Sequence, residues 1–326
     1  MSEQGINPEE LRTAETAGAS EKKKKQKKEK VRKSVGREIL EWVLTIVVAV
    51  VAALIIRSFV FELVKVDGGS MEDTLDNGEI MFVSKLDYSS TWLTLPFQSN
   101  NAAEQASRIT FGSPKRLDVV ICHYPARGAV NFVKRVVGLP GETVALSQDG
   151  YLLINGKQVP EEAEIEGITE AYRKGYGAYP AYYIPQKGDT VVIRQNTATR
   201  DGISLTINDQ KWTRRQTSLV MKADGKTLKI YSRNVDDSSR ETDGSKISTE
   251  TVVSYDGKIL SVAEFIAQYP DLIGRELTVD EDYYFVMGDH RDNSNDSRSV
   301  GALERSAIIG HARSVVFPFN KWRGVE

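Results

Sequence analysis

Residues 39–61 form an apolar run in which Glu41 and Arg57 are the only charged positions. A bilayer core takes about 20 mostly apolar residues in a helix, so the run predicts a transmembrane helix over 38–61. The β-branched residues Ile46, Val47, Val48, Val50 and Val51 are no obstacle, because lipid forces the backbone to bond within its own segment. Ahead of it, residues 1–37 are polar and charged without periodicity, which predicts a disordered tail. Beyond it the pattern turns to the alternation of strands. Residues 62–67 read as a short strand running into Gly68 and Gly69, and 80–83 as the next. Residues 116–125 read as a strand entered by a charged turn and stopped by Pro125. Residues 131–142 read as a strand closed by the turn at Pro140 and Gly141. In 151–159, Asn155 and Gly156 supply the two positive φ angles of a type I′ hairpin.

The texture changes over residues 160–274. Short strand-like runs at 190–194, 203–207 and 227–232 are separated by stretches rich in Asp, Ser, Thr and Gly, with one amphipathic helical segment at 261–269. This predicts an inserted, mainly β subdomain. Strand patterns return at 283–287, 307–310 and 314–318, so 62–159 and 275–326 are expected to build one mostly β core. Residues 100–111 read as a polar linker. Residues 91–97, apolar and aromatic but broken by Pro96, fit two readings equally: a core loop, or an exposed patch dipping into a membrane interface.

The net charge of −2 argues against a polyanion-binding molecule as a whole, but the basic charge is unevenly placed. Between Lys22 and Arg37 lie ten Lys or Arg residues and one acid, Glu29. Such a run also suits nucleic acid, yet directly before an apolar span it reads as the cytoplasmic flank of a membrane anchor. The apolar run exceeds the core of a cleaved signal sequence and no small-residue cleavage site closes it, so the anchor is expected to stay. Everything after Phe61 is then expected outside the cytoplasm. Cys122 is the only cysteine and sits among Val119, Val120 and Ile121, where a small buried apolar role outweighs a nucleophilic one. With His123, His290 and His311 scattered, nothing offers metal-ligand spacing, and no metal or cofactor is expected.

Three stretches carry candidate chemistry. Ser70 follows two glycines, which let the backbone adopt conformations closed to other residues and let another chain approach closely. On those residues alone a plain turn is the simpler reading. Lys134 lies in a strand beside Arg135, and adjacent strand residues point to opposite faces, so one of the two is expected to face the core. A buried lysine is costly unless neutral, and neutrality at pH 7 requires about 4 to 5 kcal/mol of desolvation. A neutral amine is a competent base for a serine hydroxyl. The opposite arrangement, Lys134 in solvent and Arg135 turned inward to an acid, fits the pattern equally. The loop 288–298 packs three acids, two arginines and two serines directly after an apolar strand. As a calcium loop it lacks the glycine at the sixth position and the closing Glu. A Ser-His-Asp triad through His290 is geometrically possible but leaves Lys134 without a role.

Residues 70–75, 116–120, 134–142 and 288–298, in that order and behind that anchor, resemble the motif set of the bacterial type I signal peptidases. The resemblance covers 38–159 and 275–318 and leaves the insert outside. It implies a signal-peptidase-like β catalytic domain and a membrane-bound serine endopeptidase that removes signal peptides from exported preproteins after Ala-x-Ala. Ser70 would be the nucleophile, Lys134 the base and then the acid, and the backbone N–H of Ser70 an oxyanion donor. Ser294 would orient the lysine, with Asp296 and Arg298 bracing that wall. The implied partners are preprotein signal peptides, bound as an added strand, the lipid bilayer and a neighbouring export translocon, with no nucleic acid. The insert would shape access to the cleft or pack outside it. Four positions depart from the family pattern: Asp73 for proline, Gly68 for a hydroxyl that assists the oxyanion hole in some members, Leu117 for glycine and His290 for asparagine. Each is expected to lower activity without removing the dyad. Two rivals are a self-cleaving repressor-type regulator, which the span opposes, and an anchored binding module without catalysis.

Overall fold

The computed structural model describes residues 35–72, 74–90, 109–110, 112–124, 131–159, 177–234 and 249–325. The expectations for the basic tail up to residue 34, for 91–97 and for Asp73 fall outside the described residues. Two compact units divide the chain at Ala52 and Ala53. The apolar run forms the 25-residue helix Val35–Phe59, of which the 22 residues Gly36–Arg57 are long and apolar enough to cross a membrane. Its Ile39, Trp42, Leu44, Ile46 and Val48 side chains are all exposed, so the helix has no polar face to turn toward water.

The second unit is built on antiparallel sheets. The first has eight strands, ordered Phe61–Lys65, Ile80–Ser84, Ile308–Phe317, Val119–His123, Asn131–Gly138, Tyr283–Met287 and Leu303–Glu304, with Arg323–Gly324 pairing to Ile308–Phe317. The sequence pattern split the long strand into 307–310 and 314–318. It is one strand because irregularities in its pairing with both neighbours absorb the break in alternation at His311, Ala312 and Arg313. A four-stranded sheet pairs Tyr179–Tyr183, Thr143–Leu146, Leu152–Ile154 and Lys157–Gln158. Its tight turn has φ 51° at Asn155 and φ 76° at Gly156, the pair of positive angles its Asn-Gly sequence predicts.

A second eight-stranded sheet is drawn from residues 190–279. The helix Val262–Gln268 joins its last two strands in sequence and starts at a reciprocal capping box between Ser261 and Glu264. Strand pairing places the limits of this segment differently from composition. Glu276–Val279 pairs with Thr190–Gln195 and Leu219–Ala223, while Tyr179–Tyr183 pairs back to Thr143–Leu146. The stretch with its own sheet is therefore 190–279 rather than 160–274. Nor does it hold a separate core: Val191, Leu219 and Leu277 share one apolar cluster with Val137, Phe285 and Met287. Periodicity marks where strands lie but carries no information on which sheet closes around them.

Candidate active site

Ser70 sits on a loop whose neck is closed by two backbone hydrogen bonds, Val66 N–H to Glu79 O at 2.8 Å and Gly78 N–H to Val66 O at 2.9 Å. Met71 and Leu75, both fully buried, anchor the loop in the core. The approach to the serine requires φ +97° at Gly68, where any other side chain is strained. A hydroxyl-bearing residue at that position is therefore disfavoured by this backbone. Glu79 is buried, and Arg323 grips its carboxylate at 2.8 Å through both terminal nitrogens while donating to Thr74 O at 2.8 Å.

Lys134 and Arg135 are both buried, at 1% and 0% exposure, so the expectation that only one of them faces the core is corrected. Alternation holds, but both faces of the strand Asn131–Gly138 are covered, and each basic side chain has its own partners. Lys134 Nζ lies 2.7 Å from Ser70 Oγ and donates to Val133 O at 2.8 Å. Arg135 makes a buried ion pair with Asp289, its Nε 3.0 Å from Oδ1 and its Nη2 2.9 Å from Oδ2. It also donates through Nη1 to Leu117 O at 2.7 Å. Leu117 stands at φ 76°, a left-handed conformation that glycine adopts without strain and leucine does not. Thr74 Oγ1 donates to Asp289 Oδ2 at 2.6 Å, so the loop bearing Ser70 is fastened to the same acid as the strand bearing Lys134.

Gly288 follows the strand Tyr283–Met287 and lies directly against Ser70: a Cβ there would strike Ser70 O and Ser294 Oγ. Its N–H donates to Asp296 Oδ2 at 3.0 Å. Arg298 holds Asp296 through Nε and Nη2, both at 2.9 Å, and through its own N–H at 3.1 Å. Asp296 and Arg298 thus lie in the wall beside the serine, joined to it through Gly288. Ser294 is brought to the same place, but its buried Oγ has no hydrogen-bond partner, and no bond from it to Lys134 is formed in this structure. His290 donates its N–H to Ser70 O at 3.2 Å. Its ring contacts Gly69 O at 3.0 Å, Glu72 at 2.9 Å and Asp292 at 3.0 Å. The Ser70 hydroxyl meets Lys134, not this histidine.

Asp289, Asp292 and Asp296 are thereby each committed to a protein partner, which disfavours a calcium loop. Among the described residues no group of three or more His, Cys, Asp or Glu side chains is placed to hold a metal ion. Cys122 is fully buried, and desolvation pushes its thiol up to about 12, the state of an inert core side chain. Sequence reasoning missed the Arg135–Asp289–Thr74 network and the Arg323 clamp. The first had a signal, two adjacent basic residues in an apolar strand and an acid at the head of a charge-dense loop. The second had none.

Chains of known function are similar to this one. A family model described as signal peptidase, peptidase S26, matches residues 39–317. A signal peptidase I of Pseudomonas fluorescens is 38% identical over 130 residues, 38% of this chain and 43% of that protein. The stretch it shares with this chain is thus less than half of that relative's length. Signal peptidase I T of Bacillus subtilis (strain 168) is 35% identical over 178 residues, 52% of this chain and 80% of that protein. A signal peptidase I of Bacillus amyloliquefaciens is 26% identical over 286 residues, 87% and 91% of the two chains.

Two stability predictions follow from the clamps. Asp289→Ala leaves the buried Arg135 charge unpaired and is expected to destabilise the fold by about 3–5 kcal/mol in denaturant unfolding; a loss within 1 kcal/mol, on the order of a surface change, contradicts this network. Burial raises the Glu79 carboxyl, but hydrogen bonds from Arg323 and the Asp76 backbone with the Arg323 charge outweigh it, and the net shift is downward from 4.5. A carboxyl lowered in the folded state stabilises fully above its unfolded value and loses that contribution as pH falls through the folded one. Acid unfolding below pH 4.5 is therefore expected to be less steep in Glu79→Gln than in the wild type.

Proposed function

Because this chain belongs to the signal peptidase S26 family, we propose that it is a membrane-anchored serine endopeptidase that removes signal peptides from exported preproteins with a Ser70/Lys134 dyad. The observation that carries this reading is the 2.7 Å contact between Lys134 Nζ and Ser70 Oγ, made by a lysine at 1% exposure. An ammonium group is disfavoured out of water, and the uncharged amine is the form that accepts a proton. As Ser70 Oγ attacks the scissile carbonyl, its proton passes to Lys134 Nζ, and the tetrahedral oxyanion gathers at the Ser70 backbone N–H. Lys134 then hands the proton to the leaving amine, releasing the mature chain and leaving an acyl-enzyme on Ser70. Water, deprotonated by the same amine, cleaves that ester.

The remaining groups act by placement. Asp296 and Arg298 fix Gly288 against Ser70, and Ser294 is the hydroxyl available to orient the lysine. The substrate is taken to pair as an added strand beside the approach to Ser70 and the strand carrying Lys134, with small side chains at its −1 and −3 positions. The apolar helix Gly36–Arg57 supports a bilayer location, and the basic tail before it supports a cytoplasmic N-terminus. That tail stays cytoplasmic, and the catalytic unit faces the other side, close to the export translocon.

Cleavage of a peptide spanning an Ala-x-Ala site by the full chain in detergent tests the assignment. Ser70→Ala and Lys134→Ala are each expected to reduce turnover by a factor on the order of 10³ or more, and the double variant hardly further. Turnover that survives either single change sinks the dyad.

A further inference from the structure

The segment between the strands Gln210–Trp212 and Leu219–Ala223 carries two adjacent arginines that act in opposite directions. Arg214 turns into the second eight-stranded sheet. It donates to Thr217 O at 2.9 Å, Ser232 Oγ at 3.2 Å and Thr251 Oγ1 at 2.7 Å, and pairs with Asp201 at 3.2 Å. Arg215 turns the other way, donating through Nη1 to Arg298 O at 2.9 Å with its guanidinium over the Tyr179 ring at 5.0 Å. Arg215 holds φ 55°, a left-handed conformation that a non-glycine residue keeps only where its surroundings over-determine it.

Two further contacts lock this segment to the wall beside Ser70. The Gln216 N–H donates to Val300 O at 3.0 Å. At Gly301, with φ +89°, a Cβ would strike Thr217 Oγ1, so the Thr217 side chain packs on the backbone where only glycine fits. The links then run inward without a gap: Arg215 to Arg298 O at 2.9 Å, Arg298 to Asp296 at 2.9 Å, Asp296 to the Gly288 N–H at 3.0 Å, and Gly288 against Ser70 O.

We propose that the segment 214–218 positions the Ser70 wall from the 190–279 sheet, with Arg215 as its anchor. The insert thereby governs the rate of the chemical step and not only access to the cleft. Arg215 touches neither substrate nor reacting atoms; it is a positioning residue, and its role rests on the Ser70/Lys134 reading. Misplacement of a reacting group by about 1 Å costs up to about a hundredfold in turnover, whereas KM is expected to hold where the contacts that bind substrate are unchanged.

The test uses the full chain in detergent and an Ala-x-Ala peptide. Arg215→Gly suits the positive φ, so it removes the side chain while relieving the backbone, and its thermal midpoint is expected to fall by no more than a few degrees. Its kcat is expected to fall about tenfold with KM held within about twofold. Arg215→Lys, which keeps a donor for Arg298 O and a cation over Tyr179, is expected to recover most of that loss. Wild-type kcat in Arg215→Gly, or a change confined to KM, overturns the proposal. Failure of the wild type itself to cut the peptide counts instead against the Ser70/Lys134 reading. The link is then read from unfolding of Arg215→Gly, Asp296→Asn and the double variant: non-additive losses support it, and additive ones overturn it.

Discussion

Two basic side chains stand at successive positions of one strand, and both are buried. Lys134 at 1% exposure and Arg135 at 0% cannot share a face of the sheet, so the fold must cover both faces and supply each with a partner. An uncompensated charge in such a place is severely destabilising. Much of the rest of the unit answers that requirement. On one face Arg135 takes Asp289, Thr74 joins the same carboxylate, and Leu117 holds a strained backbone while its carbonyl receives the guanidinium. On the other, Lys134 meets Ser70 and the Val133 carbonyl. The two solutions are coupled, because Thr74 and Ser70 lie on the same short loop. Whatever fixes the arginine also fixes the distance between serine and lysine.

That coupling shows why some of the site was legible in the sequence and some was not. A serine after two glycines, a lysine inside an apolar strand and a charge-dense loop after another were visible as anomalies, and their order matched a known motif set. The strands were visible because alternation reports which residues face a core, and 203–207 and 283–287 are bounded as their apolar runs predicted. The burial of both Lys134 and Arg135 was hidden, because a period of two says that neighbours diverge but not whether both sides are covered. Strand pairing crosses the division at 160 and 274 for a related reason. Composition changes where loops lengthen, whereas the sheets close by pairing, and Glu276–Val279 and Tyr179–Tyr183 each pair across that division. The Arg323 clamp lies 244 positions from Glu79, with no pattern to announce it.

The apolar cluster shared by Val137, Phe285 and Met287 with Val191, Leu219 and Leu277 gives the inserted stretch a mechanical role. A segment that shares a core with the strands Asn131–Gly138 and Tyr283–Met287 cannot move independently of them. Close packing makes such interiors stiff, so a displacement at one side is transmitted rather than absorbed. The departure at Leu117 belongs to the same picture: a residue strained at φ 76° is tolerated where the neighbouring Arg135 bond holds it in place.

The central claim is that a buried, uncharged Lys134 is the base for Ser70, and the pH dependence of peptide cleavage tests it most directly. Measured with the full chain in detergent, the wild type is expected to gain activity with rising pH along a basic limb, because a general base must be unprotonated. Lys134→Arg keeps the charge at every accessible pH and is expected to be inactive throughout that range. Activity in Lys134→Arg, or a limb that disappears in His290→Ala instead, contradicts the account.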